Sequence, residues 1–133
     1  MNSLLTLTAV IEATTGLALI AMPSVVVRLL LGGDISGVSI PLGRVAGFGL
    51  LSLGLACWRA RDPTGNTTPA LRAMLTYNSL ATIYFFCLAI GGQWVGPLLW
   101  PAMALHGILS VLLARQSRLS FRRSVRDSAP ETT

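Results

Sequence analysis

From Leu4 to Met22 the chain is almost all apolar, with a single charged side chain, Glu12, near its middle. A helix of about 20 such residues crosses the hydrocarbon of a bilayer. A carboxyl carried to that depth costs about 2.5–3.5 kcal/mol or more. Glu12 must therefore meet a partner, water or a proton. Other strongly polar residues set in apolar stretches are Arg44, Asn78 and His106, and the fold has to decide which of them meet.

The rest of the composition points the same way. Charged residues make up 11% of the 133, less than half of the roughly 25% usual in soluble domains. The mean hydropathy is +0.68. The length suits one compact unit. The net charge of +5 is the balance of ten basic residues, all arginine, over five acidic ones, and the arginines gather mainly in one loop and the C-terminal tail. That distribution fits membrane topology, and outside the tail it lacks the basic patch that nucleic-acid binding needs.

Four spans are predicted, at about 3–22, 41–58, 69–90 and 97–114. Pro23 closes the first, because the residue before a proline leaves the helical region. With no basic segment before it and Glu12 interrupting its apolar run, this span is expected to stay in the mature chain rather than act as a cleaved signal. The segment after it, PSVVVRLLL, is too short to span; Pro23 at its start and Gly32-Gly33 at its end delimit a short interfacial helix. In the second span the uncharged run Val45–Trp58 reaches only about 21 Å, so the helix must take in Arg44, whose long side chain can reach outward. Thr68-Pro69 is a helix-start signal for the third span. Pro101 should bend the outer end of the fourth. Residues 1–115 form the transmembrane domain; 116–133 form a basic, largely disordered tail. Arg115 at its edge and Arg118, Arg122, Arg123 and Arg126 within it can anchor to anionic lipid.

Topology follows from the arginines. Arg59 and Arg61, with Arg72 just beyond, lie between spans two and three, and five more lie in the tail. Basic segments stay in the cytoplasm, so both termini are expected there. Cys57 then falls towards the inner surface and Cys87 towards the outer, too far apart for a disulfide.

Small and polar residues recur on single helix faces. Thr8, Glu12, Thr15 and Gly16 share one. Gly43, Gly47 and Gly54 share another, and Ala102, His106, Ser110 and Ala114 a third. Such stripes are helix–helix seams in lipid, and they turn Glu12 and His106 inward. Depth counting puts Glu12, Asn78 and His106 near the midplane and Arg44 roughly 8 Å above Glu12. That predicts a Glu12–Arg44 ion pair within a polar site of Glu12, Arg44, Asn78 and His106. The plain alternative is that these groups only set helix register, since hydrogen bonds in membranes average about 0.6 kcal/mol. Tyr77, Tyr84 and Phe85 are candidates for an apolar pocket for a quinone or lipid, although aromatic residues at helical spacing more often simply pack. One histidine and one acid are too few for a zinc site, so no metal and no cofactor are expected. No sequence context marks a nucleophile, and an enzymatic activity is the least supported class.

The segments IEATTGLAL, MPSVVVRLLLGG, RVAGFGLLSLGLACW, the Tyr77-Asn78 pair and GPLLWPAMALHGILSVLLAR together resemble small four-span bacterial membrane proteins, broadly DoxX-like. The resemblance implies an all-α, four-helix inner-membrane protein of unassigned activity. Two functions are expected. One is an accessory or assembly subunit, with other membrane subunits or further copies of itself as partners. The alternative is binding or transport of a proton or small hydrophobic molecule through the midplane site.

Overall fold

The computed structural model describes residues 2–59 and 68–127, with side chains described over 3–58 and 69–119. The described residues form five helices and no strands: α1 (Asn2–Ala21), α2 (Pro23–Leu31), α3 (Ser39–Arg59), α4 (Thr68–Gly91) and α5 (Leu99–Asp127). Three stretches are long and apolar enough to cross a membrane: Ser3–Ala21, Ser39–Trp58 and Pro69–Gly91. Large apolar side chains such as Leu17, Phe48, Leu80, Ile83 and Ile108 point outward on all four long helices. A soluble fold would bury such a girdle; lipid accepts it. Several hydroxyls on the helices donate to their own backbone. Thr14 donates to the Val10 carbonyl at 2.7 Å and Ser52 to the Phe48 carbonyl at 2.8 Å.

The four long helices follow the order α1, α3, α4, α5 around the bundle. Two pairs are intimate, α1 with α3 and α4 with α5, and the pairs touch each other more lightly. The α1–α3 seam is antiparallel and built on missing side chains. A Cβ on Gly16 would lie 2.7 Å from the Gly47 oxygen, and one on Gly54 would lie 2.7 Å from the Ala9 oxygen. Leu5, Ala9, Cys57, Leu71, Met74 and Leu113 close the bundle at the end where α1 and α4 begin. Cys57 is buried there and Cys87 is exposed, and neither is in a disulfide.

The short helix α2 has the bounds expected for it. Pro23 stands in its first turn, and Gly32 ends it in the left-handed region at φ 75°, donating its N–H to the Arg28 carbonyl at 2.8 Å. Its last turn is latched to the chain ahead of α5. Gly96 donates to the Leu30 carbonyl at 3.0 Å and Leu98 to the Leu29 carbonyl at 2.9 Å. Only glycine fits at position 96, where a Cβ would run into the Leu29 oxygen and lie 2.7 Å from the Gly32 nitrogen. Arg28 meets Asp34 at 2.5 Å. Both side chains are largely exposed, and such a pair contributes little to stability.

Helix α5 differs from expectation at both ends. It begins at Leu99, which puts Pro101 in its first turn. An N–H has no intrahelical partner there in any case, so the proline does not break the backbone ladder. It also runs past Ala114 to Asp127. The stretch from Leu105 to Asp127 holds no proline and only Gly107, so the backbone of 116–127, expected in the tail, continues the helix. Arg115 and Arg118 are exposed on it. The side chains of Arg122, Arg123 and Arg126, and the loop that carries Arg61, lie outside the described residues.

Candidate functional site

Three of the four predicted polar residues meet at the bundle axis, contributed by α1, α4 and α5. Helix α1 carries two adjacent faces. Ala9, Ala13, Gly16 and Ile20 lie within about 60° of one another at 100° per residue and pack on α3. Thr8, Glu12, Thr15 and Leu19 lie beside them and look across the bundle towards α4 and α5. Glu12 is 1% exposed, and its Oε1 has no hydrogen-bond partner. The carboxamide of Asn78 faces the Glu12 carboxyl from across the bundle.

Asn78 is fully buried and orders the site. Its Nδ2 donates to the Met74 carbonyl at 2.9 Å, one turn back on α4. A backbone carbonyl can only accept, so this bond fixes which end of the amide is nitrogen. The other end, Oδ1, lies 2.7 Å from Nδ1 of His106 on α5. Oδ1 has no hydrogen to give, so Nδ1 carries the proton and donates. Two aromatic rings of α4 hold the imidazole in place. Tyr77 meets it edge-on at 5.7 Å between ring centroids, and Phe85 lies at 5.6 Å, tilted.

Above the polar cluster, towards α2, lies a cavity of about 540 Å³ between the helices. Ile11, Thr15 and Leu19 of α1 line it with Leu30 of α2, Leu50 of α3 and Ala102 of α5; Tyr77, Phe85 and His106 form its floor and side. Of the lining residues, Ala46, Leu98, Pro101 and Leu105 are exposed, so the cavity is a cleft rather than a sealed void. Apart from Thr15, Tyr77 and His106, its lining side chains are apolar. Thr15 satisfies its own hydroxyl by donating to the Ile11 carbonyl at 2.9 Å.

Arg44 does not join the site. It is exposed, and it forms no ion pair with Glu12. Helical geometry explains the correction. Gly47 and Gly54 turn one face of α3 to α1, with Gly43 against Pro23 at the start of α2, and Arg44 stands about 60–100° around the helix from each of them at 100° per residue. The contact that brings α3 close enough to reach Glu12 therefore turns Arg44 away. The predicted aromatic trio divides as well. Tyr77 and Phe85 line the central cavity, whereas Tyr84 is 61% exposed and borders a separate surface cleft of about 350 Å³ with Trp94 and Asp34.

Comparison with protein-family models, curated proteins and solved structures returns no match. The DoxX-like resemblance gains no support from it. What the site does has to follow from its chemistry. Among the described residues no group of three His, Cys, Asp or Glu side chains could hold a metal ion. What is present is an apolar chamber whose floor carries one oriented imidazole. Sequence reasoning missed Thr15 and Leu30 as chamber walls and Gly96 as the latch that holds α2 over it. The Gly-Gly-x-x-x-Gly pattern at 91–96 was the available signal for the latch. Its partner, the last turn of α2, is set by tertiary contact and could not be read locally.

Proposed function

We propose that the chain is a four-span protein of the bacterial inner membrane, with both termini cytoplasmic, that binds a small apolar molecule in its central cavity. The observation that carries the binding reading is the cavity itself. Its volume of about 540 Å³ falls in the range of roughly 300–1,000 Å³ typical of small-molecule sites, which are mostly apolar with a few placed polar groups.

The fourth span in this reading is the first part of α5. Its apolar run Leu99–Ala114 reaches only about 24 Å, but it lies along α4, and Arg115 can extend to the surface. A helix packed along a spanning helix has to share its depth. A green fluorescent protein fused after Thr133 is expected to fluoresce, and alkaline phosphatase fused after Gly92 is expected to be active. The reverse pattern would overturn the topology.

Binding is tested by Ala102→Trp, which places an indole in the cavity one turn before His106. Purified in nanodiscs, the native chain is expected to retain a co-purified apolar molecule detectable by mass spectrometry. The variant should lose it at least about tenfold while keeping its helical content. Equal retention by both would refute the site. An accessory or assembly role, expected from the short connections, has no specific structural observation in its favour. A stoichiometric membrane partner with an empty cavity would favour that role instead.

A further inference from the structure

The direction of the hydrogen bonds says which end of a ligand the cavity floor can hold. The Met74 carbonyl takes one hydrogen of the Asn78 amide, and Asn78 Oδ1 takes the hydrogen on His106 Nδ1 at 2.7 Å. A neutral imidazole that donates through Nδ1 has a bare lone pair on Nε2. Nδ1 is committed to Asn78, so Nε2 is the ring atom left for a ligand in the cavity that His106 lines. The amide that accepts from His106 is itself donating, and hydrogen bonds in such a series polarise one another. The imidazole is left as a strengthened acceptor.

We infer that the cavity takes an apolar molecule headed by a hydroxyl, which donates its hydrogen to Nε2 of His106, in preference to the same molecule headed by an ether or ketone. The inference rests on the binding reading above and adds the chemical class of the headgroup. Thr15, Tyr77 and His106 supply the polar atoms of the lining. The Thr15 hydroxyl hydrogen is already given to Ile11, so the donor in the lining that could favour an ether or ketone is the Tyr77 hydroxyl, and Tyr77→Phe should leave the preference for the hydroxyl unchanged or larger. Asn78 is a positioning residue here: it touches the imidazole and sets its tautomer. The apolar body of the ligand lies against Leu19, Leu50 and Phe85.

The test uses two probes of nearly equal shape, para-heptylphenol and its methyl ether para-heptylanisole. They are titrated against the full chain in nanodiscs, with empty nanodiscs as the reference. The ether is the more hydrophobic, so partitioning and plain apolar contact favour it. The expected result is saturable binding in which the phenol is about tenfold tighter, the worth of one well-placed hydrogen bond. His106→Phe keeps a ring in place and should erase the preference. Nitrogen NMR of labelled histidine in the unsubstituted chain should report the Nδ1–H tautomer, which makes the result independent of whether any variant folds.

Equal or tighter binding of the ether, lost in Ala102→Trp, would overturn the headgroup assignment and leave the cavity standing as a binding site. An Nε2–H tautomer would overturn it too. Saturable binding of neither probe, with Ala102→Trp indistinguishable from the parent, would remove the binding reading itself.

Discussion

Gly47→Ala is expected to lower the stability of the bundle by about 1–3 kcal/mol, the usual cost of forcing extra atoms into a close-packed seam. A methyl at Gly47 would lie 2.7 Å from the Gly16 oxygen and 3.0 Å from the Ile20 nitrogen. Both obstacles are backbone, so no side-chain rotation relieves them, and α1 and α3 must move apart. Gly16→Ala should behave alike, since its Cβ would lie 2.7 Å from both the Gly47 oxygen and the Leu51 nitrogen. Gly49, two residues on, faces open space. There an alanine should be neutral or slightly stabilising, because glycine is the poorer helix former by about 1 kcal/mol. Unfolding in bicelles by steric trapping would compare the variants on the same chain. Indistinguishable Gly47→Ala and Gly49→Ala proteins would mean that the seam is not close-packed. Because Thr15 and Leu50 stand on the two helices of this seam, a parted seam should also weaken ligand retention.

The glycine seam also marks how far the sequence could be read. The spacing of Gly43, Gly47 and Gly54 shows a face of small residues, and Gly16 shows its counterpart. The pairing of Gly16 with Gly47 and of Ala9 with Gly54 is a single antiparallel register, which the long connection through α2 does not fix. The helices were legible for a simple reason: in lipid every backbone group must bond within its own segment, so apolar length and proline or glycine punctuation carry the information. What the spacing could not give is the angular offset between two faces of one helix. Glu12 and Gly16 differ by about 40° at 100° per residue. That small turn sends the glycine to α3 and the acid across the bundle to Asn78. Arg44 was expected to bridge to Glu12 because depth was counted and rotation was not. The cavity was hidden for a different reason. It is lined by residues of all five helices, and the latch of α2 to residues 96–98 beside it is no local property of any one segment.

Glu12→Met is expected to leave the bundle as stable as before or to stabilise it by about 1 kcal/mol, since an unpaired buried polar atom costs its desolvation without a return. The residue is 1% exposed and its Oε1 is unpartnered, and methionine fills a similar shape with no polar atom. Asn78→Leu should do the opposite and cost about 1–3 kcal/mol, because it strands the His106 N–H that Asn78 accepts and leaves a donor buried alone. The same steric-trapping measurement ranks the two. The contrast separates two accounts of the acid. If Glu12 sets helix register, its loss must destabilise the bundle, and a drop comparable to that of Asn78→Leu would establish that role. If Glu12→Met is neutral or better for folding, the acid persists in the membrane against its own solvation cost. The reason for it must then lie in what the chain Glu12–Asn78–His106 does at the cavity floor, and weaker binding of the hydroxyl probe by a fully folded Glu12→Met protein would be the direct sign of that role.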